Sequence, residues 1–140
     1  MSLFKIVMPD SCKYTSVLLI DDDIDVRMIF GEVLKELAPD IIYHEATNGE
    51  DALSKLGSNM IPDLIFLDLN MPRVDGKQFL AEIQRLEHLK DIPVIIYTTS
   101  SHESDKKETR DLGASYFLTK PNSLRELTHV LTDNLAQKIF

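Results

Sequence analysis

Asp21, Asp22 and Asp23 follow directly on an apolar run at 17–20, and Asp68 follows directly on another at 64–67. If those runs are neighbouring strands of one sheet, their carboxylates converge on one pocket. Two like charges about 4 Å apart repel by roughly 4 kcal/mol at an effective dielectric of ~20, so such a cluster must protonate, spread out or bind a cation. Hard oxygen ligands favour magnesium, which takes one or two carboxylates and keeps waters and phosphate oxygens as its other ligands. Thr98 follows a third apolar run at 94–97, and Lys120 closely follows a fourth at 116–118. A hydroxyl donor and a compact, flexible ammonium both suit a phosphate oxygen. An aspartate run alone is more simply a solvated loop that caps the next helix, with Asp23 or Asp25 at the helix N-terminus. Thr98 or Lys120 alone is more simply a surface residue. An acidic pair, a single carboxylate, a hydroxyl and a lysine, each at the end of a separate apolar run, is a different matter.

The elements that must position these groups can be read from the spacing of apolar residues. The runs at 17–20, 64–67 and 94–97 are short and continuous, as buried strands are; 41–45 and 116–118 are weaker strands. Between them Val26, Ile29, Phe30, Val33, Leu34 and Leu37 stripe one helix, which should stop before Pro39. Asn48 is placed to cap a short second helix that carries Ala52, Leu53 and Leu56 and ends at Gly57. Phe79, Leu80, Ile83 and Leu86 mark a third helix, and Leu124, Leu127, Leu131 and Leu135 a last one. The stretch from His102 to Leu112 reads as a strongly polar helix stopped by Gly113. Five strands alternating with five helices imply parallel βαβ units. Strands apolar on both faces need helices on both faces, which makes a three-layer α/β/α sandwich. In such sheets functional groups gather at the carboxyl ends of the strands.

The bulk properties set bounds. The chain has 140 residues and a net charge of -8, with 44% hydrophobic and 27% charged residues. That suits one compact domain able to bury a core without staples. The acidic balance argues against a nucleic-acid or anionic-membrane surface, where Lys and Arg must dominate. No apolar run approaches the ~18 residues of a membrane helix. The single cysteine, Cys12, cannot form an intrachain disulfide, which accords with a reducing, cytoplasmic location.

The residues so assembled resemble the receiver domain of two-component response regulators. The resemblance rests on LLIDDD at 18–23, LIFLDLNMPRVDG at 64–76, VIIYTTS at 94–100 and GASYFLTKP at 113–121. Each motif is weak alone; in this order and at this spacing they are specific. The match runs from Ser16 to Ala136, leaving an N-terminal extension at 1–15 and a tail at 137–140. It implies a five-stranded parallel sheet in the order 2-1-3-4-5, the flavodoxin-like receiver fold.

The resemblance also implies roles. Asp68 matches the phosphoacceptor. Asp22 matches a direct ligand of Mg2+ (or Mn2+), with Asp21 acting mainly through water and the backbone carbonyl of Asn70 as a third protein ligand. Thr98 matches the switch hydroxyl, and Lys120 the lysine that pairs with the phosphoryl group. Lys120–Pro121 matches a peptide bond usually cis in the family. Phe117 stands where an aromatic can move into space vacated by the switch hydroxyl; a plain strand residue explains it equally well. Asn70 and Ser100, two residues past Asp68 and Thr98, match positions that tune the lifetime of the phosphorylated form. A small Ser100 predicts no unusually long one. The phosphodonor would be a histidine kinase or histidine phosphotransfer protein, and the downstream protein target would meet the face formed by the fourth helix, fifth strand and fifth helix.

The expected chemistry is attack on phosphorus by a carboxylate already ionised at neutral pH, so no general base is required. The result is a signalling acceptor and not an enzyme in its own right. No output module follows Ala136, so a receiver acting by docking or phosphorelay is expected. Two other readings compete. An aspartate-nucleophile phosphatase of the haloacid dehalogenase type would need a second Asp two residues after the nucleophile, where this chain has Asn70. A receiver-fold interaction module that is never phosphorylated would not need the full set of Asp21, Asp22, Asp68, Thr98 and Lys120.

Overall fold

The computed structural model describes residues 14–137. The extension at 1–13, including Cys12, and residues 138–140 lie outside the described residues. Strands and helices alternate through the chain: β1 Ser16–Ile20, α1 Ile24–Leu37, β2 Ile42–Ala46, α2 Gly49–Gly57, β3 Leu64–Leu67, α3 Gly76–Gln84, β4 Val94–Thr98, α4 Glu103–Asp111, β5 Tyr116–Thr119 and α5 Leu124–Gln137. All strand pairs are parallel, in the order β2-β1-β3-β4-β5. This is the sheet that the resemblance implies.

The three central strands are apolar on both faces because both faces are covered. On one side Leu18, Ile20, Ile65, Leu67 and Ile96 pack with Ala52, Leu56, Phe79, Leu80 and Ile83 of α2 and α3. On the other, Val17, Leu19, Phe66, Ile95 and Tyr97 pack with Phe30, Val33, Leu34 and Leu37 of α1 and Leu127, Leu131 and Leu135 of α5. Phe30 meets Phe66 edge-on, with ring centroids 4.9 Å apart. Truncating either to alanine should cost roughly 3–5 kcal/mol. The edge strands differ. β5 exposes Tyr116 and half-buries Phe117 and Leu118, since it has a neighbour on one side only.

Helix ends follow local chemistry. Asp23, and not Asp25, caps α1 by accepting from the N–H groups of Asp25 and Val26. Asn48 caps α2 through the Asp51 N–H, and Asp75 and Gln78 form a reciprocal capping box on α3. α4 is the exception, because His102 makes no side-chain cap and only Thr109 of the helix is buried. Among the described residues every peptide bond is trans. Lys120–Pro121, expected cis, is therefore corrected to trans, the isomer that an X–Pro amide favours by about 0.5–1 kcal/mol.

Candidate functional site

The parallel sheet delivers the chemistry-bearing residues to one edge. β1 and β3 are adjacent, with Ile20 in register with Leu67, so the next residues, Asp21 and Asp68, emerge side by side. The Asp68 N–H donates to the Ile20 carbonyl at 3.0 Å, which extends the ladder one step into the site. β4 lies beyond β3 and ends at Thr98, and the Lys120 N–H donates to the Thr98 carbonyl at 2.7 Å.

Carboxylate oxygens of Asp21, Asp22 and Asp68 all lie within 4.8 Å of one another. Asp21 and Asp68 are buried and Asp22 is exposed. Lys120 Nζ sits 2.7 Å from Asp21 Oδ2 and 3.8 Å from Asp68 Oδ2. Asp21 Oδ1 accepts from the Asp23 N–H at 2.9 Å, whereas its buried Oδ2 has the Lys120 charge beside it but no well-directed hydrogen bond. A buried carboxylate oxygen with spare acceptor capacity, grouped with two more carboxylates, is a donor set that fits a hard divalent cation.

The Asn70 N–H and the Thr98 hydroxyl favour the ionised form of Asp68. Burial pushes its carboxyl up to about 6; Lys120 opposes this and Asp21 adds to it. At pH 7 the carboxylate still predominates by about ten to one. The ordinary aspartate value assumed from sequence missed a roughly hundredfold loss of margin, since burial is not visible there.

The other expected residues fall around this centre. Asn70 is exposed on the loop after β3, with its N–H turned to Asp68. The Ser100 N–H lies 3.5 Å from Thr98 Oγ1, and the Ser100 hydroxyl donates to Asp105 Oδ2 at 2.6 Å. Phe117 sits outside the carboxylate pocket. It packs against the core on the α2–α3 side, and Lys106 Nζ lies 5.9 Å from its ring centroid.

Two supporting residues escaped the sequence reading. Arg27 on α1 is buried, with Nη1 donating to the Asp21 carbonyl at 2.7 Å and Nε to Glu45 at 2.9 Å. It pins the peptide that joins Asp21 to Asp22. A charged residue one step past Val26, on the apolar side of α1, was the available signal. Gly76 opens α3 against the backbone of Asp68 and Leu69, and a Cβ there would lie 2.7 Å from Leu69 Cα. The signal was a glycine at the first position of a capped helix, where none is required by helix chemistry.

Comparison with known proteins points one way. The response regulator receiver domain model matches residues 17–132. Protein PilG of Pseudomonas aeruginosa is 38% identical over 111 residues, covering 79% of this chain and 80% of PilG. The manganese-bound crystal structure of response regulator Rcp1 superposes with a TM-score of 0.77 at 33% identity, covering 86% of this chain and 91% of Rcp1. The phosphorylated cyanobacterial phytochrome response regulator RcpA gives 0.81 at 28% identity, covering 91% and 96%. Several other curated relatives are much longer, and the chain spans 14% of one of them.

Proposed function

The chain belongs to the response regulator receiver domain family, and from that premise we propose that it takes a phosphoryl group on Asp68, with a divalent cation beside it, and thereby regulates a partner protein. The observation that carries this is the convergence of three carboxylates within 4.8 Å with Lys120 reaching both buried ones.

Asp21, Asp22 and Asp68, with the Asn70 carbonyl, would hold Mg2+ or Mn2+, which when bound supplies charge neutralisation for phosphoryl transfer. The protein's own part is mostly positioning. An Asp68 carboxylate oxygen forms a bond to phosphorus as the bond from phosphorus to the donor breaks. The carboxylate is ionised in most molecules at neutral pH, so no residue need remove a proton. Lys120 pairs with a phosphoryl oxygen and gives up its hold on Asp21. The Thr98 hydroxyl, whose oxygen the Ser100 N–H approaches at 3.5 Å in the resting state, turns to the phosphoryl oxygen. Phe117 repacks beside it on β5, and α4, β5 and α5 form the face that meets the target.

The donor is a histidine kinase or a histidine phosphotransfer protein. Asn70 and Ser100 tune the return to the resting state by flanking the path of attacking water; Ser100 substitution should change the decay rate. The manganese in Rcp1 and the phosphorylated state of RcpA support the reading by likeness. Among the described residues no helix is long and apolar enough to cross a membrane.

Incubation with acetyl phosphate and magnesium, followed by intact-mass measurement, tests the proposal. One phosphoryl adduct is expected, absent in Asp68→Asn and absent with a chelator. Failure of several small donors to modify the protein in the presence of magnesium would refute it.

A further inference from the structure

The helix α4, Glu103–Asp111, contains no apolar side chain, and its one buried residue, Thr109, spends its hydroxyl on the Asp105 carbonyl within the helix. A helix of this composition cannot be held by an apolar stripe. What holds it is polar. Lys77, in the first turn of α3, reaches across with Nζ 2.8 Å from Asp105 Oδ1 and 2.9 Å from Glu108 Oε1. The second oxygen of Asp105 accepts from the Ser100 hydroxyl at 2.6 Å. The Ser100 oxygen in turn accepts from the His102 N–H at 3.2 Å, and the Ser100 N–H approaches Thr98 Oγ1 at 3.5 Å. One carboxylate therefore ties α3, α4 and the β4–α4 loop together. At one end of this chain of contacts is the Thr98 hydroxyl; at the other is Lys77, the residue after Gly76, whose backbone abuts Asp68. Lys77 and Ser100 hold the Asp105 carboxyl below the usual carboxylate range, and Lys77 is raised by its two acidic partners.

We propose that Lys77 and Asp105 are positioning residues: they clasp α4 and the Ser100 loop in the resting arrangement and so set how readily the Asp68 site adopts its phosphoryl-bound state. The proposal rests on the reading of Asp68 and Thr98 given above. When Thr98 turns toward a phosphoryl group, the contact from the Ser100 N–H to its oxygen must lengthen or break, and the loop that carries Ser100 must follow. A clasp that favours the resting loop taxes every ligand that needs the other one, because apparent affinity scales with the fraction of competent molecules. Two ion pairs sharing one lysine, one half-buried and one with an exposed Glu108, are worth little individually. Together with the Ser100 hydrogen bond, their loss should shift that fraction by about fivefold, or about 1 kcal/mol at 1.4 kcal/mol per tenfold.

The test compares wild type, Lys77→Met, Asp105→Asn, their double variant and Lys77→Arg. Beryllofluoride binding with saturating magnesium is measured by calorimetry, and amide hydrogen exchange of residues 103–111 is measured without ligand. Both single variants should bind beryllofluoride about fivefold more tightly and exchange several-fold faster in α4. The double variant should gain little more, and Lys77→Arg should return toward wild type. A purely structural role would not tighten binding. If wild type binds beryllofluoride and the variants bind equally or less well, the clasp does not restrain the switch and the proposal falls. If wild type itself does not bind, the reading of Asp68 falls and takes this consequence with it. Unchanged exchange in α4 overturns the clasp whatever Asp68 does.

Discussion

Replacing Asp68 with asparagine should make the metal-free protein more stable. Burial raises the Asp68 carboxyl from 3.8 to about 6. A carboxyl whose folded value is raised is stabilised by its proton, so the sign is opposite to that of a salt-bridged aspartate. The penalty on the ionised form is fully present above about pH 6. It shrinks as pH falls and is gone once both folded and unfolded chains are protonated. Two units correspond to about 3 kcal/mol at 1.36 kcal/mol per unit. Asparagine keeps the shape and an acceptor oxygen for the Thr98 hydroxyl and the Asn70 N–H. Urea unfolding in EDTA should therefore show Asp68→Asn more stable by about 2–3 kcal/mol at pH 7.5, and by roughly half of that at pH 5. Saturating magnesium should narrow the difference, because it binds the folded wild type more tightly than the variant. A variant no more stable than wild type at pH 7.5, or a gap that does not close on acidification, would refute the claim that Asp68 is a strained, buried charge.

Other variants separate the parts of the site. Lys120→Met removes the cation that sits 2.7 Å from Asp21, so magnesium affinity should rise several-fold in a calorimetric titration while acetyl phosphate labelling falls at least tenfold. Arg27→Gln leaves the Asp21 carbonyl and Glu45 without their partner; urea unfolding should show a loss of roughly 1–3 kcal/mol, with weaker magnesium binding. Gly76→Ala forces a Cβ against the Asp68–Leu69 backbone. It should cost roughly 1–3 kcal/mol by thermal denaturation and slow labelling, because the acceptor itself must shift.

The sheet and four of its functional ends were legible because each chemistry-bearing residue closely follows an apolar run. Strand periodicity puts Asp21, Asp68, Thr98 and Lys120 at one edge once the strands are known to be parallel; the order that makes β1 and β3 neighbours came from family likeness. What was not legible depends on three-dimensional closeness. Arg27 meets Glu45 18 residues away, and Lys77 meets Asp105 28 residues away; no periodicity links either pair. The raised Asp68 carboxyl depends on how completely β1, β3 and β4 exclude water around it. The isomer of Lys120–Pro121 was expected from family likeness and went against the intrinsic preference of the amide, and the intrinsic preference is what the structure has. The weakness of α4 was visible as composition, but the clasp that holds it was not.

The proposed function rests on one side chain, Asp68, as the phosphoacceptor. The most direct measurement is to label the protein with acetyl phosphate and magnesium, reduce the acyl phosphate with borohydride and map the modified residue by peptide mass spectrometry. A single reduced aspartate at position 68, dependent on magnesium, is expected. Modification at Asp21 or Asp22 instead, or none at any position, would contradict it.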